Sequence, residues 1–322
     1  MNIQGSKILV IGGAGFIGSH IVDQLLHEDV QEIVIYDNFV RGTLKNIKHA
    51  LKDPRVKLFE LGGDINHRDL LDEAIKGKDY VFHLAALWLL HCHDYPRSAF
   101  HVNIEGTFNV IESCIKHKVK RLIYSSSASV YGDALQIPMT EDHPFNNKTF
   151  YGATKIAGEQ MLKALGQRYG LNFIGLRYMN VYGERQDYKG AYVAVIMKIL
   201  DRLDREEPPI IYGDGSQSYD FVHVRDVARA NLCALKSFEI KEGFYNVGSG
   251  KLISIKDLTE KILKVTGKTH QPHYESCGTT FVTTRLGDPH RAQRDLGFKY
   301  TIELEEGLRL LIDWREKDKK MI

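Results

Sequence analysis

Tyr151 and Lys155 lie four residues apart in the run F-Y-G-A-T-K-I-A-G, Phe150–Gly158, which contains no proline. On an α-helix that spacing stacks two side chains one turn apart on the same face. Such a pair is also an ordinary feature of helix surfaces, so spacing alone assigns it no role. The chemistry it permits is nevertheless specific. A phenol has an unperturbed pKa of about 10 and is a poor base at neutral pH. A neighbouring ammonium favours the phenolate, so the pair can act as a general base toward a hydroxyl group.

The elements that must position this pair follow from the hydrophobic pattern. K-I-L-V-I-G (Lys7–Gly12), E-I-V-I-Y-D (Glu32–Asp37), V-K-L-F-E-L (Val56–Leu61), Y-V-F-H-L-A-A (Tyr80–Ala86), R-L-I-Y-S-S-S (Arg121–Ser127) and N-F-I-G-L-R-Y (Asn172–Tyr178) read as six strands. Helical stretches fall between them, through Ile17, Ile21, Leu25 and Leu26, over Arg68–Lys76, Ser98–His117 and Tyr151–Arg168. Strands alternating with helices imply an α/β fold with a parallel sheet covered on both faces, binding ligands at the carboxyl ends of its strands. After about Met179 the pattern loosens: Pro208-Pro209, the turn Gly213–Gly215 and mixed short elements mark a smaller α/β lobe. The expected division is a Rossmann-type doubly wound domain over 1–178 and a second lobe over 179–322. The segment 221–238, helical around Asp226–Lys236, packs back on the first.

G-G-A-G-F-I-G places Gly12, Gly15 and Gly18 between the first strand and its helix, with Phe16 and Ile17 opening that helix. Glycines permit the tight turn and close backbone approach to a pyrophosphate, and the helix N-terminus supplies amide donors and positive dipole. A glycine run alone is weak evidence; between strand and helix it has the context a dinucleotide site requires. Asp37, 19 residues after Gly18 and followed by Asn38, can hold the adenosine ribose hydroxyls and repels a 2′-phosphate. NAD is therefore expected rather than NADP, against which Arg41 stands as a cation able to reach a phosphate.

Bulk properties exclude several classes. Over 322 residues the chain is 43% hydrophobic and 26% charged, with a net charge of +2 and no dense Lys/Arg block, which gives no support for nucleic-acid or membrane-surface binding. No apolar run approaches the roughly 20 residues of a membrane span, and the N-terminus lacks the pattern of a signal peptide. The four cysteines, Cys92, Cys114, Cys233 and Cys277, are scattered; a cytoplasmic protein with free thiols is expected. His91-Cys92-His93-Asp94 contains metal-ligating types, but adjacent residues rarely converge on one ion and no second ligand group accompanies them. No metal is expected.

Six ordered segments carry a resemblance: G-G-A-G-F-I-G, H-L-A-A, S-S-S-A-S-V-Y-G, Y-G-A-T-K, R-Y-M-N-V-Y-G and I-Y-G-D-G-S-Q. Together they resemble the extended short-chain dehydrogenase/reductase family, in its NAD-dependent nucleotide-sugar epimerase branch, over nearly the whole chain. The resemblance implies that Tyr151 is the base and acid at a sugar hydroxyl, that Lys155 binds the nicotinamide ribose and lowers the Tyr pKa, and that Ser127 hydrogen-bonds the reacting oxygen. It further implies Asp64 and Ile65 at the adenine, Leu84, Ala85, Ala86 and Asn103 along the cofactor groove, Tyr178 and Met179 near the nicotinamide, and Asn180 at the substrate diphosphate. Asn103 and Asn180 are also residues that cap and brace turns.

The residues beside the triad separate the reactions this family runs. Its 4,6-dehydratases carry an Asp-Glu pair directly after the strand-five Ser/Thr, where this chain has Ala128 and Ser129. Its decarboxylating members place a Glu, and its fucose-synthase-type members a Cys, at the Ser129 position. Ser, Tyr and Lys alone suffice for transient oxidation of sugar carbon 4 to a ketone and its return from the opposite face. The resemblance thus implies a 4-epimerase with tightly bound NAD regenerated each turnover, acting on UDP-glucose, UDP-N-acetylglucosamine or UDP-glucuronate. The alternatives are a 4-dehydrogenase or ketoreductase with net redox, on GDP- or CDP-sugars included, and a non-catalytic NAD-binding regulator. By the same resemblance Tyr212 stacks on the base. Tyr219 stands where many UDP-sugar epimerases have a diphosphate Arg, and Arg285 and Arg185 are candidates to replace it. The stretch before L-G-F is shorter than usual, which leaves the register of Arg285–Asp288 open. Trp88-Leu89-Leu90 follows H-L-A-A near the expected sugar position, as a pocket wall or as packing. The helices over Ser98–His117 and Tyr151–Arg168 resemble those forming a four-helix homodimer contact.

Overall fold

A computed structural model describes residues 3–188, 194–276 and 282–320. Cys277 lies outside them, and the other three cysteines are free thiols. The chain opens β1 (Lys7–Ile11), α1 (Phe16–Leu25), β2 (Glu32–Tyr36), α2 (Leu44–Ile47), β3 (Val56–Leu58), α3 (Arg68–Ile75), β4 (Tyr80–His83) and α4 (Leu89–Asp94). Next come α5 (Pro96–Ala99), α6 (Gly106–Lys116), β5 (Arg121–Ser127), α7 (Phe150–Tyr169), β6 (Phe173–Tyr178) and β7 (Asn180–Tyr182). The remainder is α8 (Val195–Asp204), β8 (Ile210–Tyr212), β9 (Ser218–His223), α9 (Val224–Lys236), β10 (Glu242–Val247), β11 (Leu252–Ser254), α10 (Ile255–Thr266), β12 (His273–Glu275), β13 (Thr284–Arg285), α11 (His290–Leu296) and α12 (Leu304–Lys320).

The large sheet is parallel throughout, in the order β10-β6-β5-β4-β1-β2-β3. Its strands are apolar on both faces because both are covered. Along β1, Ile8 and Val10 enter one core while Leu9 and Ile11 enter the other, the period-two alternation of a strand buried twice over. The order reverses at β1: the chain runs outward through β2 and β3, then returns to β4 on the other side. Their carboxyl ends diverge there into a crevice, the place where such sheets take ligands.

The six strands expected from sequence are present, most of them shorter than expected. A seventh, β10, pairs with β6 from well inside the second half of the chain, and α9 packs against α1. The large sheet therefore takes a strand, Glu242–Val247, from beyond 221–238. The long helix expected over Ser98–His117 is present as helical chain interrupted by a π-helical turn at Phe100–Glu105. The second lobe centres on a separate core including Ile196, Leu200, Leu258 and Leu311. In its sheet β9 is flanked by β11, β13 and β7, while β12 pairs with β8.

Candidate active site

The glycine turn between β1 and α1 is shaped by close approach. Gly12 has φ +81°, and a Cβ there would stand 2.9 Å from the Ala85 amide nitrogen, just past β4. A Cβ on Gly18 would stand 2.1 Å from the Gly12 carbonyl oxygen. Gly15 precedes α1 in extended conformation with no side chain capping the helix, so the first-turn amides are left to face the crevice. Asp37 closes one flank: Oδ2 accepts from the Ala14 amide at 2.9 Å and Oδ1 from Phe39 at 2.9 Å. Burial raises its pKa, and those amide hydrogen bonds act against the rise. The cradle thus fits a dinucleotide, with amides for the pyrophosphate and a carboxylate for the ribose.

The triad assembles where β5 and α7 meet. Thr149 caps α7 by accepting from the Gly152 amide at 3.1 Å, and Gly170 ends it in the left-handed conformation. That fixes Tyr151 and Lys155 on the face toward β5. Gly158 lets the helix lie against Tyr124, whose hydroxyl would be 2.2 Å from a Cβ at that position. Lys155 is buried, donates from Nζ to the Ser125 carbonyl at 2.7 Å, and lies 5.7 Å from the Tyr151 ring centroid. Burial pulls its pKa down to about 8. Ser127 accepts the Ser129 amide at 3.1 Å, and its side chain is near enough to Tyr151 to act on the phenol. Burial pushes Tyr151 up to about 12, while the Ser127 hydroxyl and the charge of Arg285 pull it down. Added positive charge in the crevice therefore acts directly on the Tyr151 phenol. Behind the triad Glu159 holds Arg177 through two bonds, 2.9 and 2.7 Å, and accepts from Ser126 at 2.5 Å, all buried.

A cavity of about 800 Å³ opens in the second lobe, its lining including Asn180, Gln186, Tyr212, Gln217 and Tyr219. Asn180 begins β7, two residues beyond Tyr178, which pairs in the sheet with Ser127. Arg285 pairs in register with Tyr219; the residue is half-buried, and its charge is within electrostatic reach of Tyr219 and Tyr151. Its Nε is buried with no hydrogen-bond partner among the described residues.

Residues 8–248 match the sequence profile of the NAD dependent epimerase/dehydratase family. The chain belongs to that family. A putative UDP-glucose 4-epimerase of Methanocaldococcus jannaschii is 37% identical, over 97% of this chain and 99% of its own. Among solved structures, the fold is similar to a UDP-N-acetylglucosamine 4-epimerase of Methanobrevibacter ruminantium M1 in complex with UDP-N-acetylmuramic acid. That match has a TM-score of 0.91 and 33% identity, covering 98% of this chain and 99% of that one. A Thermotoga maritima UDP-glucose 4-epimerase with UDP-glucose matches with a TM-score of 0.88 and 32% identity, covering 97% and 99%.

The structure brings together Ser127, Tyr151 and Lys155 at the triad, and Gly12, Gly15, Phe16, Ile17, Gly18 and Asp37 at the cradle. Leu84–Ala86 follow β4 along the same crevice. Asn38 accepts from Val40 in the loop after Asp37, and Asp64 accepts from Asn66 through its carboxylate and from the Tyr36 hydroxyl through its carbonyl. Ile65 is buried against α6 at Gly106. Asn103 gives its amide to bracing, bonding both backbone atoms of Leu87 and reaching Cys92 and Thr154. Tyr178 turns its phenol inward to Ser125 and Asn231, while Met179 packs against Gly248 and Gly287. Arg185 does not reach the cavity: its guanidinium ion-pairs with Asp23 on α1 at 2.5 Å, which is a correction to its expected role at the diphosphate. Arg41 is likewise committed, to Trp88 and Asp187.

Sequence reasoning missed three contributors. Gly63 stands so close to Asp37 that a Cβ would meet its carbonyl group at 2.0 Å; the G-G-D run at Gly62–Asp64 is the readable signal. The Glu159–Arg177 pair is one, with Glu159 four residues beyond Lys155 on the same helix face. Cys92, read from sequence as a free thiol and weighed as a metal ligand, lies buried beside the triad, with burial raising its thiol to about 11.

Proposed function

We propose that this chain is a UDP-sugar 4-epimerase that keeps NAD bound through turnover. The observation that carries the reading is the composition of the site: Ser127, Tyr151 and Lys155 converge, while Ala128 and Ser129, both buried in the turn after Ser127, supply no further acid or base. When bound, NAD supplies reversible hydride acceptance at sugar carbon 4. Tyr151 takes the proton from the 4-hydroxyl oxygen and returns it after the ketone has presented its other face. Ser127 donates to the reacting oxygen and fixes its position. Lys155 holds the nicotinamide ribose and, with Arg285, stabilises the phenolate that burial disfavours. Gly12, Gly15, Gly18 and the α1 amides hold the pyrophosphate, and Asp37 holds the adenosine ribose hydroxyls. In the second lobe Tyr212 stacks on the base, and Arg285 and Asn180 hold the diphosphate; the Tyr219 hydroxyl donates to the Val282 carbonyl at 2.8 Å, so its single donor is not free for the diphosphate, a correction to its expected role. The outward faces of α6 and α7 expose Phe108 and Phe150, in line with a homodimer through a four-helix contact, which sedimentation measures directly.

The test is proton NMR of the purified protein with UDP-glucose, UDP-N-acetylglucosamine and UDP-glucuronate in separate tubes, no NAD added, with absorbance followed at about 340 nm. Anomeric signals of the 4-epimer without accumulating NADH support the reading and name the sugar. Stoichiometric NADH with a 4-keto product would replace it by a 4-dehydrogenase. No reaction in any tube moves the question to the GDP- and CDP-sugars.

A further inference from the structure

Three loops from different strands meet at the rim of the glycine cradle. The loop after β2 is fastened to the cradle itself: the Thr43 amide and the Asn46 side-chain amide both donate to the Ala14 carbonyl, at 3.1 and 2.9 Å. The loop after β4 approaches from the other side, where Gly12 has no Cβ to keep Ala85 away. The third, Gly183–Tyr188, follows β7 in the second lobe. Arg41 joins all three. Its guanidinium carbon stands 3.8 Å from the centroid of the Trp88 ring, and its Nη2 donates to Asp187 Oδ2 at 2.9 Å. The Trp88 ring is itself held edge-on by His91, 4.9 Å away. On the third loop, Arg185 and Asp187 grip the first domain while Gln186 between them lines the substrate cavity.

We propose that the Arg41–Trp88–Asp187 bridge is a latch across the dinucleotide cleft that sets how slowly NAD leaves. The inference rests on the reading that NAD occupies the cradle. A pyrophosphate at the α1 N-terminus lies between the loops after β2 and β4, so a departing dinucleotide must part the bridge that joins them. The same guanidinium adds positive charge at a cleft that takes a dianionic backbone. Arg41 and Asp187 have side-chain exposures of 35% and 41%, so truncating Arg41 opens no core cavity. Stacking on the indole plane requires the flat guanidinium, whereas the ion pair with Asp187 requires only charge.

The experiment measures the NAD off-rate of the holoprotein by exchange against labelled NAD, for wild type, Arg41→Ala, Trp88→Ala and Arg41→Lys, with the melting temperature of each. The expected result is release about tenfold faster in Arg41→Ala and Trp88→Ala and an intermediate rate in Arg41→Lys, at an unchanged melting temperature. Wild-type release from both alanine variants would overturn the latch and leave the cofactor reading standing. A wild-type protein that neither retains nor takes up NAD would overturn the cofactor reading and the latch with it.

Discussion

Around the triad, Lys155, Ser126, Glu159 and Arg177 are all buried and hydrogen-bonded, on the longest strands and the longest helix of the first domain. In the second lobe Tyr212, on the cavity wall, stands 51% exposed on a three-residue strand, and Arg285, within electrostatic reach of Tyr151, sits on a strand of two. The first region holds its groups in one arrangement, because moving any of them leaves a buried polar atom unpaired. The second can be altered at small cost. On the proposed function, chemistry built into the core and selectivity placed on short strands let one scaffold keep a reaction while changing what it acts on.

Removing the base tests the first region most severely. Tyr151→Phe keeps the ring and deletes the proton carrier, so turnover is expected to fall by roughly 10²- to 10⁴-fold. NAD content after gel filtration should stay at the wild-type level, since the cradle is untouched. Substantial activity in this variant would end the proposed mechanism. Glu159→Gln comes next. It leaves the Arg177 guanidinium buried beside a neutral amide, and breaking a buried pair in this way costs on the order of 3–5 kcal/mol. Urea unfolding should register that loss. A variant as stable as wild type would show that Tyr131, bonded to Arg177 at 2.8 Å, suffices to hold the guanidinium.

The same contrast explains what was legible in the sequence. Six strands could be read because each buries a nearly continuous apolar run, and the triad because a helix turns i, i+4 spacing into adjacency. β10 was missed because its sequence, E-G-F-Y-N-V, does not read as core. Yet its Asn246 is fully buried, donating to the Met139 carbonyl and accepting from the Tyr131 hydroxyl. A polar residue satisfied by partners more than a hundred positions away leaves no local trace. Arg185 looked available at the diphosphate for the same reason: its partner, Asp23, is 162 residues away in sequence. The helix over Ser98–His117 was readable, but not its π turn, which carries Asn103 onto Leu87.

The substrate end should answer more gently and in a definite order. Arg285→Ala removes a charged donor from the proposed diphosphate site. Charge-assisted hydrogen bonds contribute about 1.5–3 kcal/mol, so KM is expected to rise roughly ten- to hundredfold. Tyr212 offers less: stacking on a half-exposed ring is worth about 0.5–1.5 kcal/mol, a rise of roughly two- to tenfold in KM for Tyr212→Ala. Tyr212→Phe separates the ring from its hydroxyl. A ring that works by its flat face keeps working without the oxygen, so Tyr212→Phe should bind the UDP-sugar as wild type does. If Phe costs as much as Ala, the hydroxyl is the recognising atom. The base then meets Tyr212 edge-on through a hydrogen bond, and selectivity at this end depends on direction, with apolar area secondary.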